Sequence, residues 1–134
     1  MSMKKYMVRD KAQQPIRVNL LDPATGQETE DWLDVRSSLS DEFTIAREDI
    51  QQRVGTLSEP NKDKRLAIVK ELQLELKMSL VAGWSFDEPF TQENLRHFLE
   101  ESPQVQNMIM MVADDAASFF GERSVNSGAG QKKK

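Results

Sequence analysis

The sequence predicts a mainly α fold, four helices with a small N-terminal β-hairpin in one domain, and three observations carry that prediction. Apolar residues recur at three- and four-residue spacing over most of 39–120, the period of one helix face. Alternation of apolar and polar residues is confined to about 16–21 and 31–36, the period of a half-buried strand. A length of 134 residues with 38% hydrophobic and 30% charged residues suits one soluble core rather than two.

Residues 1–15 are polar, end in Gln13-Gln14-Pro15, and read as a mobile N-terminal arm. Ile16, Val18 and Leu20 then alternate with Arg17 and Asn19 in a first strand over 16–21. In Asp22-Pro23-Ala24-Thr25-Gly26 the proline presets one φ and the glycine accepts a positive one, so the chain reverses. Trp32, Leu33 and Val35 form the returning strand over 31–36, although the adjacent Trp32-Leu33 interrupts the alternation. Ser38 and Asp41 have capping-box spacing and open a helix over 39–54, with Phe43, Ile45, Ala46, Ile50 and Val54 inward and Gly55 as its stop.

Ser58, Glu59 and Pro60 place a capping hydroxyl, an acid and a proline at the start of a second helix over 59–82. Its apolar residues exceed one stripe. At about 100° per residue, Leu66, Val69, Leu72, Leu76 and Leu80 share a core-facing arc, whereas Ala67, Leu74, Met78 and Val81 gather elsewhere. That second stripe meets either the rest of the domain or a partner. After an aromatic break at 83–90, Thr91 caps a third helix over 92–101, and Ser102-Pro103 opens a fourth over 103–120 that Gly121 ends in a left-handed stop. The folded domain is therefore expected over 16–121, followed by a disordered basic tail over 122–134.

Composition narrows the chemistry. There is no cysteine, which excludes disulfides, zinc-thiolate sites and thiol catalysis. No apolar run approaches the roughly 20 residues of a membrane span, so no membrane association is expected. Lys4, Lys5, Arg9 and Lys11 against Asp10 give +3 over 1–11, and Arg123 with Lys132, Lys133 and Lys134 gives +4 over 123–134. With a total of −4, residues 12–122 carry −11, which opposes nucleic-acid binding by the folded part. The single histidine, His97, has no neighbouring nucleophile motif. The adjacent carboxylates Asp87-Glu88 and Asp114-Asp115 do not converge if helical, because neighbouring residues point about 100° apart. No catalytic, cofactor or metal site is expected.

What remains is surplus apolar surface on helices. Leu74, Met78 and Val81 from the second stripe, with Met110 and Met111 beside the core face of the last helix, are the expected partner-contact positions. Trp84 and Phe90 are expected to brace the fold.

The order and spacing of these packing residues resemble those of the tail assembly chaperones of long-tailed bacteriophages and prophages. The resemblance rests on the Asp22–Gly26 turn with Trp32 and Val35, on Asp41 and Phe43, and on Leu80-Val81-Ala82-Gly83-Trp84. It continues through Pro89-Phe90-Thr91-Gln92-Glu93-Asn94, Leu99, Pro103, Ile109 and Phe119-Phe120. It implies a non-enzymatic protein of the host bacterial cytoplasm that binds the tape-measure protein, keeps it soluble and is lost before the virion matures. Self-association, and a longer frameshift product that recruits the tail-tube protein, are implied as well. Lys132-Lys133-Lys134 is compatible with adenine-rich slippery codons, or is simply a solvated tail. The competing expectation is a small structural component, a connector or tail protein, retained in the particle.

Overall fold

The computed structural model of the chain describes residues 2–121. A short 3-10 turn, Met3–Tyr6, precedes α1 (Arg9–Ala12), β1 (Ile16–Leu21) and β2 (Glu28–Val35). Then come α2 (Asp41–Gly55), α3 (Lys62–Met78), β3 (Val81–Trp84), α4 (Gln92–Glu100), α5 (Pro103–Ala113) and α6 (Ala116–Phe120). The strands form one antiparallel sheet in the order β1-β2-β3.

The hairpin follows its local chemistry. Gly26 takes φ +76°, and Asp22 closes the turn by accepting from the Ala24 amide through its carboxylate and from the Gly26 amide through its carbonyl, both at 2.7 Å. Opposite Val18, Leu33 turns inward and is fully buried; opposite Asn19, Trp32 turns outward. The Trp32-Leu33 pair thus obeys the strand period, with the guanidinium of Arg17 stacked 3.4 Å over the indole. Leu33 and Val35 join Phe43, Leu74, Met78, Leu80, Val81, Leu95, Leu99, Val105, Ile109 and Ala113 in one core.

The expected architecture of four helices and one hairpin is incorrect in four respects. The helix expected over 59–82 occupies only Lys62–Met78, and Val81–Trp84 is instead a third strand paired with β2. Its true N-cap is Asn61, whose side-chain oxygen accepts from the Lys64 amide at 3.0 Å. At its other end Ser79 Oγ bonds the Leu76 carbonyl at 2.6 Å, and Arg36 on the outgoing side of β2 donates to the carbonyls of Ser79 and Val81. Those carbonyls have no helical partner. Leu80 O and Trp32 O accept from the Arg36 and Ser85 amides, so pairing with β2 replaces the helical bonds that β3 forgoes.

The helix expected over 103–120 is divided at Asp114–Asp115, because Asp115 caps a new helix by accepting from the Ala117 amide at 3.1 Å and from the Ser118 hydroxyl at 2.8 Å. Gly121 then leaves with φ −80° rather than in a left-handed stop. The segment before the hairpin carries the extra helix α1, with Ala12 fully buried and α1 in contact with α6. Finally, α2 starts at Asp41 under Ser40, not under Ser38. The expected tail over 122–134, including Lys132–Lys134, lies outside the described residues.

Ser40 is fully buried, and its Oγ accepts from the Phe43 amide at 3.3 Å. Replacing it by alanine leaves that amide without its cap; Ser40→Ala should cost about 1 kcal/mol, read as a lower urea midpoint at unchanged slope. A midpoint identical to the parent's would show that the cap contributes nothing.

Candidate functional site

The five expected contact positions do not make one surface. Leu74 and Met78 on α3 and Val81 on β3 lie in the core, with 8%, 5% and 3% of their surface exposed. These three positions of the second stripe are therefore met within this domain, whereas Ala67 is exposed. Met110 on α5 is half-buried against the same core, and Met111 beside it is exposed. The surface apolar residues are largely others. Ile45 and Val54 on α2 and Leu66 on α3, all expected inside, are exposed, together with Leu39 before α2 and Met3, Tyr6 and Met7 near the N-terminus.

Three helices are held together by an ionic ladder across their solvent side. Arg53 on α2 reaches Glu75 on α3 at 2.9 Å and Asp49 one turn back at 3.2 Å. Arg96 on α4 reaches Glu71 at 2.5 Å and Glu75 at 3.8 Å. Hydrogen bonding to Glu75, then to Asp49, raises the Arg53 pKa above its ordinary value. Arg17 is raised likewise, chiefly by its hydrogen bond to Asp34. Both are permanently charged at neutral pH, so these contacts orient helices and sheet without introducing a titration.

A concave feature lined by aromatic rings lies where β3 ends. The Ser85 amide donates to Trp32 O at 3.1 Å and Ser85 Oγ accepts from the Trp32 amide at 2.9 Å, which fixes the exit from the strand. Trp84 Nε1 donates to Glu88 O at 2.9 Å, and Asn94 Nδ2 on α4 donates to Pro89 O at 2.9 Å, so the loop is tied at both ends. Thr91 caps α4 as expected, its hydroxyl accepting from the Asn94 amide at 3.1 Å.

Around that loop Trp84 meets Phe86, Phe90 and Phe98 at centroid separations of 5.2, 5.1 and 5.9 Å, and Phe86 meets Phe98 at 5.0 Å. These tilted and edge-on pairs are the arrangements that ring quadrupoles favour. Trp84 and Phe90 thus brace one another. Beside them opens a cavity of ≈ 360 Å³, walled by Trp84, Phe86 and Phe98 and bordered by exposed Glu88, His97 and Glu101. The sequence marked 83–90 as an aromatic break, but that run alone carries no sign that Phe98, eight residues beyond Phe90, completes the cluster. The period of α4 holds such a sign: Leu95 and Leu99 point inward together, which leaves Phe98 on the flank facing the loop.

His97 stands at this cavity beside carboxylates rather than beside a nucleophile. Among the described residues there is no group of three or more His, Asp or Glu that can hold a metal ion, and no helix long and apolar enough to cross a membrane. The surface around the cavity offers apolar and ionic contact.

A family model described as phage tail assembly chaperone matches residues 13–121, from the end of α1 through α6. No curated protein and no solved structure matches the chain.

Proposed function

Because the chain belongs to the phage tail assembly chaperone family, we propose that it acts without catalysis, binding the tape-measure protein reversibly and keeping it soluble while the tail tube assembles around it. The family match carries this reading. Its physical support is apolar surface that the fold leaves uncovered: Ile45, Val54, Leu66 and Met111 are all exposed on helices. Apolar side chains in water gain by covering the apolar stripe of a client helix, the helix-in-groove mode of recognition. Met111 and its neighbour Met110 remain proposed contacts. Leu74, Met78 and Val81 serve the client from inside, by holding the helix and strand in place.

The same reading places the protein in the host bacterial cytoplasm and outside the mature virion, with self-association around the client. A longer product made by frameshifting at Lys132–Lys134 is proposed to recruit the tail-tube protein. Co-expression with the tape-measure protein encoded nearby tests the central claim, using the short chain and the longer product in separate arms. The soluble fraction of the client should rise and the two should co-elute. A client that stays insoluble and fails to co-elute in both arms overturns the reading. Mass spectrometry of mature particles should find no copy of this chain; a stoichiometric copy would instead make it a structural component.

A further inference from the structure

Resting on that reading, we infer that the cavity beside Trp84 is a socket for one cationic side chain, an arginine or lysine on the client. Its volume of ≈ 360 Å³ is at the low end of ligand pockets, about 300–1,000 Å³, a size for one long side chain rather than a large cofactor. Three rings form its walls, and aromatic faces attract an alkyl stem and a cation alike. Its polar border adds the sign. Glu88 and Glu101 are exposed carboxylates, and no lysine or arginine among the described residues lines the cavity. Asn94 and His97 complete the lining, and Arg96, the one arginine of α4, is engaged by Glu71 and Glu75.

A neutral apolar side chain would leave both carboxylates unanswered, and an anion would be repelled. The charge of −11 over residues 12–122 draws a cation from a distance as well. The chain's own lysines at 132–134 share this chemistry. Gly121, however, where the described chain ends, lies with Ile16 and Arg17 at the β1 edge, whereas Trp84 belongs to β3 at the opposite edge of the sheet. Thirteen residues beyond Gly121 still reach roughly 40 Å when extended, so the tail is a competing occupant, and the third arm of the test decides between it and the client.

The test is an NMR titration of the full chain that follows the Trp84 indole N–H, the group bonded to Glu88 O. The probes are N-acetyl-arginine methylamide and its neutral counterpart, N-acetyl-norleucine methylamide. The arginine probe should move the Trp84 resonance well beyond the norleucine probe, and the Glu88→Gln/Glu101→Gln variant should lose the difference. Equal shifts from both probes overturn the socket, and this arm is independent of whether the tape-measure protein is the client.

In a second arm, the same variant should bind the tape-measure protein about tenfold more weakly than the parent, with a shallower salt dependence. Unchanged affinity overturns the assignment to the client, whereas a parent chain that does not bind at all defeats the chaperone reading instead. In a third, removal of residues 122–134 should leave the Trp84 resonance in place. A shift on removal alone would make the tail the occupant and overturn the proposal.

Discussion

Leu74→Ala should destabilise the isolated chain by about 3 kcal/mol and lower its Tm by roughly 10 °C, whereas Leu66→Ala should stay within about 0.5 kcal/mol of the parent. Both residues lie on α3, and a single-stripe reading of the sequence ranks them the other way. Leu74 is 8% exposed inside a core that includes Leu33, Leu99 and Ile109, while Leu66 is 56% exposed in the first turns of the helix. Truncating the first removes buried methyl groups from neighbours that close the space only in part. Truncating the second removes exposed surface and installs a better helix former. Urea denaturation of the two variants without any partner decides it. Equal losses, or a larger loss at Leu66, would mean that Leu74 is not a core residue of α3.

The expected core-facing stripe of α3 is largely legible, since Leu72 and Leu80 are buried and Leu76 packs against the core, but Leu66 at its start is exposed. Local signals carried through. The Asp22–Gly26 turn, the Thr91 cap and the strand 16–21 depend on residues within a few positions of one another. β3 is different, since Val81 and Gly83 are held by Val35 and Asp34, nearly fifty residues earlier, while Leu80-Val81-Ala82 extends a helical run without interruption. Tertiary pairing overrides that local preference.

Once the chain leaves the helix at Met78, Val81 is carried onto the sheet, and the end of α3 buries Leu72, Leu74 and Met78. Leu66, far from the sheet, is left in water. At Asp114–Asp115 the signal was present, because Asp115 is a good N-cap, but the apolar run on either side hides it. The socket was half legible for the same reason as β3. Its aromatic loop is contiguous, yet Phe98 and Glu101 reach it only because α4 folds back over that loop.

Trp84→Ala should cost about 3 kcal/mol, Trp84→Phe only about 1 kcal/mol, and both losses should appear in urea denaturation of the isolated chain. Trp84 is half-buried, but it joins three structures at once. Its backbone pairs with Leu33 at the centre of the sheet, its ring touches Phe86, Phe90 and Phe98, and its Nε1 anchors the loop at Glu88 O. Alanine abolishes the ring contacts and the anchor together. Phenylalanine restores much of the apolar contact and loses the hydrogen bond, so the gap between the two variants measures the rings apart from the anchor. Phe90→Ala provides the outer comparison: that ring is 38% exposed and meets Trp84 from one side, so its loss should be nearer 1 kcal/mol. If Trp84→Ala and Phe90→Ala cost the same, Trp84 is not the centre of the cluster. The ordering also governs how client binding is read. Trp84→Ala loosens the wall of the socket and the loop that carries Glu88, so weaker binding by that variant says nothing about charge. Glu88 and Glu101 are exposed and outside the core, and their neutral counterparts keep the fold while removing the attraction.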